Sequence, residues 1–189
     1  MTRAEDEFTK ITMNLALKYL PKYTLKDYES WEGDWELIEG IPYALASPTF
    51  EHQRIVGRIF RFLDEELEQK CPTCTVGIDT DYIIDEHTVV RPDVFIVCGK
   101  VEKKIYRTPK VIFEVVSENT AEKDEKLKFE LYEREGVEYY IIVFPSIKKA
   151  KVYKLRDGKY KKLTDLIDDT LELELEDCKI HLDFSKVWL

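Results

Sequence analysis

The positions of apolar residues predict two amphipathic helices separated by short buried strands. From Glu51 to Lys70 apolar residues recur every three or four positions, which is the spacing of one helix face. Val94–Val97 and Val111–Ser117 are rich in β-branched and aromatic residues, which favour strands inside a sheet. A second helix is predicted from Ala121 to Glu135, and the strand Val137–Phe144 follows it directly. This order of elements predicts an α/β fold with a mixed sheet flanked by helices.

Turn and capping signals add an N-terminal helix and hairpins to this core. Residues 5–20 follow an amphipathic pattern that ends at Pro21. Trp35–Leu45 is predicted to form two strands joined at Glu39-Gly40, a dipeptide that suits a tight turn. The other predicted elements are a capped helix at Thr24–Tyr28, a strand at Asp79–Ile84, a turn at Asp85–His87, a hairpin of Lys151–Leu155 and Lys159–Leu163 around Arg156-Asp157-Gly158, and an alternating strand at Leu171–Leu175.

Length and composition limit the classes of protein that this chain can belong to. A chain of 189 residues, 44% hydrophobic and 35% charged, is expected to fold as a single globular domain over residues 1–189. No apolar run is long enough to span a bilayer, and no signal-peptide pattern begins the sequence, so a cytoplasmic protein without membrane contact is expected. The net charge of −9 requires any contact with nucleic acid to use a local basic patch.

The four cysteines do not match a zinc site. Cys71 and Cys74 form a CxxC motif after the predicted long helix, while Cys98 and Cys178 stand alone in the sequence. A structural zinc site requires a second Cys or His pair at matching spacing, and a thioredoxin-like motif begins a helix rather than following one. The motif is therefore interpreted as a buried or locally bridged pair. A redox protein that uses Cys71 and Cys74 is the weakest of the functional alternatives.

Two acidic residues belong to the predicted buried strands. Asp93 opens one apolar run, directly after Arg91-Pro92, and Glu114 lies inside the next run. A carboxylate in such a run must be paired, protonated or bound to a metal, because an isolated buried charge is very unfavourable. On neighbouring strands, the two carboxylates form a candidate site for a divalent metal, the cofactor of phosphodiester hydrolysis. The alternative for Asp93 is a residue that caps the turn before its strand.

Several short motifs occur in an order and at a spacing typical of one nuclease family. They extend through almost the whole chain: Glu36-Leu37-Ile38-Glu39-Gly40, Ser47-Pro48 with His52, Arg91-Pro92-Asp93-Val94, Phe113-Glu114-Val115-Val116-Ser117, Asp124 with Lys128 and Tyr132, and Gly136-Val137-Glu138-Tyr139-Tyr140. Through these motifs the chain resembles the Uma family of predicted restriction endonucleases, within the PD-(D/E)XK nuclease superfamily. The resemblance implies a restriction-endonuclease-like core and a metal-dependent endonuclease that hydrolyses phosphodiester bonds.

The resemblance also implies which residues form the site. The superfamily's lysine lies two residues after the glutamate, where this chain has Val116, and in this family it is displaced to the following helix, at Lys128. Asp93, Glu114 and Lys128 are thus the expected catalytic residues, and Asp93 and Glu114 the expected ligands of Mg²⁺ or Mn²⁺. Asp124, one helical turn before Lys128, is a candidate to hold its ammonium group.

Two further candidates come from the first hairpin and the long helix. Glu36 is a possible additional acid, and a position at the edge of a strand explains it equally well. His52 begins the predicted long helix, where a hydrogen bond at the helix start is at least as good an explanation as contact with the site.

The tail hairpin forms an island of positive charge in an acidic chain. Its lysines, represented by Lys159, Lys161 and Lys162, are candidates to contact phosphates of duplex DNA. Alternating lysines also protect an edge strand from aggregation, and the sequence favours neither explanation. Cleavage of both DNA strands implies a homodimer. The main alternative function is an inactive nucleic-acid-binding or assembly module on a nuclease fold, favoured by Val116 and the acidic net charge.

Overall fold

The computed structural model describes residues 21–116 and 123–188, except for the side chains of Lys123 and Asp124. The predicted helix at residues 5–20 lies outside the described residues. The chain divides into a smaller compact unit, residues 1–45 and 85–89, and a larger one, residues 46–84 and 90–189. A single domain over residues 1–189 therefore stays a prediction. Among the described residues, no helix is both long enough and apolar enough to cross a membrane.

The smaller unit contains the predicted first hairpin. Strands β1 (Trp35–Ile38) and β2 (Ile41–Ala44) pair antiparallel, and β1 also pairs with β5 (Thr88–Val90). Glu39 and Gly40 both have positive φ, 53° and 83°, as a two-residue turn between twisted strands requires. The preceding helix, Leu25–Tyr28, begins with a capping box in which Thr24 and Asp27 satisfy each other's backbone donors. The predicted hairpin and capped helix are therefore confirmed.

The larger unit is built on a six-stranded mixed sheet. Its strands are β3 (Cys74–Ile78), β6 (Val94–Cys98), β7 (Val111–Val115), β8 (Tyr139–Phe144), β9 (Lys149–Arg156) and β10 (Lys159–Leu166). They lie in the order β10-β9-β8-β7-β6-β3; β7 and β8 run parallel, and the other neighbours pair antiparallel. Outside this sheet, β4 (Tyr82–Asp85) precedes β5, and β11 (Thr170–Leu175) forms a separate hairpin with β12 (Cys178–Asp183).

One face of the sheet is covered by the predicted long helix, which spans Phe50–Lys70. The side chain of Thr49 caps it by accepting a hydrogen bond from the backbone N–H of His52. Its buried residues join the inward side chains of the sheet and of the β11–β12 hairpin in one core. Burying each large aliphatic side chain contributes about 1.5–3 kcal/mol. The helix residues involved are Ile55, Val56, Ile59, Leu63 and Leu67.

The opposite face of the sheet is covered by a second helical segment, named here the Lys128 helix. It consists of a π-helix, Lys123–Lys128, followed by an α-helix, Phe129–Arg134. Aromatic rings fill the space between it and the sheet: Phe129 lies 4.9 Å from Tyr153, and Tyr132 lies 5.2 Å from Tyr140. The predicted α-helix from Ala121 to Glu135 is thus correct in place and wrong in type over its first half. A 3.6-residue pattern does not distinguish a π-turn from an α-turn.

Several predicted boundaries differ from the structure. The predicted strand Asp79–Ile84 is confirmed over residues 82–84, which belong to β4, and wrong over residues 79–81: β3 ends at Ile78, and Asp79 has a φ of 43°. A residue with positive φ ends the extended conformation, so the first half of the predicted strand is a turn between two strands. The sequence patterns also missed β3, β5 and β12 and placed the tail hairpin strands shorter than they are. Short 3₁₀ helices at Pro145–Ile147 and Phe184–Lys186 complete the elements.

The cysteines form two long-range disulfides. Cys71 is bonded to Cys178, and Cys74 is bonded to Cys98, which lies directly opposite it on β6. Of the two alternatives for the CxxC motif, burial of both cysteines is confirmed and a local Cys71–Cys74 bridge is wrong, because each bonds to a cysteine that stands alone in the sequence. Four cysteines allow three pairings, which sequence spacing does not separate. Because Cys71 and Cys74 are also buried, the structure offers no accessible CxxC thiol pair for a redox function.

Candidate active site

The register of β6 and β7 brings the two acidic residues together. Val94 lies opposite Phe113 and Phe95 opposite Ile112, so continuing this pairing by one residue sets Asp93 opposite Glu114. Residues directly opposite on antiparallel strands project to the same face, with Cβ atoms about 5 Å apart. Val94, Phe113 and Val115 point into the core beneath the long helix, so the two carboxylates project to the other face.

Asp93 is the more open of the two carboxylates, with its side chain 24% exposed. Its Oδ2 accepts a hydrogen bond from the backbone N–H of Val115 at 2.7 Å. The same oxygen lies 3.2 Å from Nε2 of His52; since a carboxylate only accepts, that nitrogen carries the proton. None of the hydrogen bonds seen among the described residues uses Oδ1. One oxygen of Asp93 is therefore oriented by the protein, and the side chain as a whole stays partly exposed to solvent.

Glu114 is the buried carboxylate of the site. Its residue is 3% exposed, and its Oε1 accepts hydrogen bonds from Lys128 Nζ at 2.8 Å and from the Tyr132 hydroxyl at 2.9 Å. Lys128 is also only 3% exposed, so an ion pair is buried between the sheet and the Lys128 helix. Each of these charges needs the other, because removing one partner of a buried pair leaves an uncompensated charge.

The helical segment explains how a lysine from outside β7 reaches Glu114. Position 116 projects to the same side of the strand as position 114, and in this chain it holds the buried Val116, whose N–H bonds to the carbonyl of Val143. Lys128 closes the π-helix, and Tyr132 lies one turn further along in the α-helix. Both side chains converge on the same carboxylate oxygen. The side chain of Asp124, the expected partner of Lys128, lies outside the described residues.

Two carboxylates on adjacent strands suit Mg²⁺ or a similar hard ion. The described part of the chain contains no group of three or more His, Cys, Asp or Glu side chains gathered as metal ligands. Mg²⁺ does not require such a cage, since it commonly uses one or two carboxylates and keeps several waters. The side chain of Asp93 projects to the same face of the sheet as that of Glu114, and Lys128 balances part of the carboxylate charge. The donor set therefore fits a hard divalent ion with water and phosphate as further ligands.

The other candidate residues are divided between the two units. His52 belongs to the larger unit and contacts Asp93, so both explanations offered for it apply: its N–H is capped by Thr49 and its ring reaches the site. Glu36 belongs to β1 of the smaller unit, where it lies opposite Tyr43 and is fully buried. Its part in the site stays a prediction.

The lysines of the tail hairpin are engaged in ion pairs on an edge strand. β10 is the outer strand of the six-stranded sheet. Lys159 donates to Glu133 at 2.7 Å, and Lys162 lies 2.8 Å from Asp165. The bond from Lys159 holds the pKa of the Glu133 carboxyl below its usual value, and nearby Lys161 adds to the effect. These contacts support the edge-protection explanation, and contact with phosphates stays a prediction for Lys159, Lys161 and Lys162.

Tyr132 is the residue of this site that sequence reasoning did not assign. In the sequence, Tyr132 served only to identify Lys128, which precedes it by four residues, as the lysine of the family motif. Its hydroxyl donates to Glu114 while its ring is fully buried beside Tyr140. The signal available in the sequence was the i,i+4 spacing of a lysine and a tyrosine on one helix face.

Comparison with known proteins agrees with this architecture. A protein family named Uma2 and described as "Putative restriction endonuclease" matches residues 25–182, which is most of the chain. No curated protein matches the sequence. Among solved structures, a "putative nuclease belonging to DUF820" from Anabaena variabilis superposes with a TM-score of 0.71 at 13% sequence identity. The match covers 87% of this chain and 97% of that one, which confirms the predicted restriction-endonuclease-like α/β fold.

Proposed function

This chain belongs to the Uma2 family, and from that membership and its paired carboxylates we propose that it is a divalent-metal-dependent nuclease that hydrolyses phosphodiester bonds. The observation that carries the proposal is the set of contacts around Asp93 and Glu114. One carboxylate is partly exposed and held through a single oxygen, and the other is held by a buried lysine and a tyrosine. Buried ionisable groups in contact are concentrated at functional sites, which supports a catalytic assignment for Asp93, Glu114 and Lys128.

In this proposal, the acidic side chains bind the metal, and the neighbouring side chains orient them. Asp93 and Glu114 would hold Mg²⁺ or Mn²⁺, which supplies a water with a lowered pKa and stabilises charge on the phosphate. His52 and the N–H of Val115 hold Oδ2 of Asp93, and the remaining oxygen of this carboxylate would bind the metal. Tyr132 holds Glu114. Lys128, which pairs with Glu114, would orient the attacking water or pair with a non-bridging phosphate oxygen.

The proposed substrate is duplex DNA, cleaved by a homodimer in the cytoplasm. Restriction-endonuclease-like nucleases generally use divalent metals and act on nucleic acid, and two cuts in a duplex suit a two-fold assembly. The two disulfides bear on location, since intracellular disulfides are characteristic of hyperthermophiles and rare elsewhere. The scarcity of Asn and Gln beside abundant Glu and Lys is also typical of proteins from hyperthermophiles.

The experiment that tests this function compares substrates and metals in one assay. The protein is incubated with plasmid, single-stranded DNA and RNA in Mg²⁺, Mn²⁺ or Ca²⁺. We expect duplex DNA to be nicked or cut with Mg²⁺ or Mn²⁺ and to stay intact with Ca²⁺. Ca²⁺ also binds oxygen ligands, but its flexible coordination supports the geometry of the attacking water poorly.

The same assay separates the nuclease from an inactive binding module. The module is favoured by one observation: Oε1 of Glu114 is fully engaged by two protein donors. A module would retain DNA in a mobility-shift assay and leave it intact with every metal at high protein concentration. That outcome would contradict the proposed function.

A further inference from the structure

The loop between β6 and β7 forms a cavity at the end of these strands opposite to the carboxylates. The cavity has a volume of about 310 Å³, near the lower end of the range for small-ligand sites. Asp93 and Glu114 flank the other end, and five residues of each strand separate the two ends, about 15 Å. The cavity is therefore distinct from the candidate active site. It is lined by Val97, Lys100, Val101, Glu102, Lys104, Ile105, Tyr106 and Arg107.

The charge of this cavity is opposite to that of the whole protein. Three cations and one carboxylate line it, in a chain whose net charge is −9. Lys100 and Arg107 are exposed, while Lys104 is partly balanced by Asp81 at 3.5 Å. Such a local excess of cations attracts anions, phosphate above all.

The loop is held in place by its own hydrogen bonds. Ile105 forms a parallel bridge with Tyr82, with bonds from its N–H to the carbonyl of Asp81 and from the N–H of Ile83 to its own carbonyl. Arg107 Nη1 donates to the carbonyl of Cys98 and lies where a side chain at Gly99 would be, 2.8 Å from an added Cβ. Gly99 has a φ of 92°, so it provides both the turn and the room for the guanidinium group.

An aromatic ring completes the chemistry of the cavity. Tyr106 is 63% exposed, although its neighbour Ile105 is buried and forms part of the apolar floor with Val97. Exposed tyrosines between cations are typical of surfaces on which nucleic-acid bases stack, because a base presents an aromatic face and its phosphate a negative charge.

We propose that this cavity binds one nucleotide unit, with its phosphate at Lys100, Lys104 and Arg107 and its base against Tyr106. The unit can belong to a strand of nucleic acid or be a free nucleotide, because the recognising chemistry is the same. The site does not depend on cleavage at the carboxylates, and binding is therefore measured in EDTA, where the proposed nuclease is inactive.

The test uses fluorescence anisotropy with a fluorescein-labelled single-stranded oligonucleotide and the full chain. Lys100→Ala and Lys103→Ala are matched variants, since both remove one exposed lysine from the same loop and only Lys100 lines the cavity. We expect Lys100→Ala to weaken binding about fivefold and to lower the salt slope by about 0.7, and Lys103→Ala to weaken it less than about twofold. Equal losses in the two variants would mean that only general charge attraction operates.

Stacking is tested at Tyr106, which is exposed and can be replaced without disturbing the core. Tyr106→Leu should weaken binding about tenfold, and Tyr106→Trp should retain it, since the larger ring also stacks. Unchanged binding in Tyr106→Leu, or no binding by the unaltered protein, would overturn the proposal. Thermal melts of each variant check that the loop still folds.

Competition with unlabelled ligands identifies the source of the nucleotide. Displacement by deoxyadenosine monophosphate would assign a free nucleotide, and displacement by the oligonucleotide alone would assign a strand; either result supports the site. Absence of DNA cleavage in a separate assay with Mn²⁺ would bear on the carboxylates and leave this site untouched.

Discussion

The buried lysine beside the carboxylates and the lysines of the tail hairpin carry the same charge in opposite surroundings. Lys128 is 3% exposed and pairs with a glutamate that is equally buried. The side chain of Lys159 is 71% exposed and that of its partner Glu133 13% exposed, so this pair at the sheet edge is open to solvent on the lysine side. Breaking a buried pair by removing one partner costs about 3–5 kcal/mol, while an exposed pair contributes about 0–1 kcal/mol. Burial rather than charge therefore separates a candidate catalytic lysine from lysines that stabilise a strand.

The largest expected effect is on stability at the buried pair. Lys128→Met should lower the free energy of unfolding by about 3–5 kcal/mol at pH 7, because Glu114 is left as an unpaired buried carboxylate. The double variant Glu114→Gln with Lys128→Met should regain most of that loss, since no buried charge remains. Urea denaturation of both single variants and the double variant measures the coupling. A double variant as unstable as the sum of the singles would mean that the two side chains do not interact.

Cleavage should respond differently from stability in the same variants. Lys128→Ala should lower the rate about a hundredfold or more, the loss typical of a group that acts on the attacking water. The stable double variant should be equally inactive, which separates chemistry from folding. Lys126→Ala, an exposed lysine of the same helical segment, is the matched control and should be close to neutral. Equal losses at Lys126 and Lys128 would show that the position of the catalytic lysine is wrong.

A smaller effect is expected at Tyr132. Tyr132→Phe removes one hydrogen bond to Glu114 and keeps the buried ring, so stability should fall by about 1–2 kcal/mol. Cleavage should fall about tenfold, less than in Lys128→Ala, because Lys128 still holds the same oxygen. Steady-state kinetics and thermal melts on Tyr132→Phe and Lys128→Ala show which variant loses more cleavage and more stability. A loss of cleavage greater than that of Lys128→Ala would make tyrosine, and not lysine, the main partner of Glu114.

The smallest effect is expected at the pair of the exposed Lys159 with Glu133, and it depends on pH. The bond from Lys159 and the backbone N–H of Tyr160 hold the pKa of Glu133 below its usual value. The ionised form is thus favoured in the folded state, and its contribution is present above about pH 4.3, the unfolded value, and lost as pH falls through the folded pKa.

Glu133→Gln should therefore lower stability by about 0.5–1 kcal/mol at pH 7, and the difference should shrink below pH 4. The exposed Glu130, on the same helix, gives the matched control Glu130→Gln. Chemical denaturation at several pH values measures both. A difference that grows in acid would reverse the sign assigned to this carboxylate.

Local signals explain which elements could be predicted from the sequence. Glu39-Gly40 and the apolar stripe from Ile55 to Leu67 depend on residues near in sequence, and both predictions are confirmed. The strand predicted at Asp79–Ile84 is wrong in its first half, because an apolar pattern does not reveal the positive φ of Asp79. The π-helix at Lys123–Lys128 likewise has no periodic signature of its own over six residues.

Tertiary contacts explain what the sequence could not provide. The pairing of Cys71 with Cys178 joins residues 107 apart, which no local rule identifies. The hairpin lysines were visible as a positive region, yet their carboxylate partners come from the Lys128 helix and from Asp165. The two acids of the candidate site could be predicted from the sequence because Asp93 and Glu114 interrupt apolar runs. Their contacts with His52 and Tyr132 could be identified only from the structure.

The most direct test of the central claim is calorimetric titration of the protein with Mn²⁺. We expect the unaltered protein to bind Mn²⁺, and Asp93→Asn and Glu114→Gln each to lower the affinity at least about tenfold by removing a charged oxygen ligand. Glu130→Gln, an exposed carboxylate away from the pair, should leave the affinity unchanged. Unchanged Mn²⁺ affinity in both site variants would contradict the assignment of Asp93 and Glu114 as the metal site.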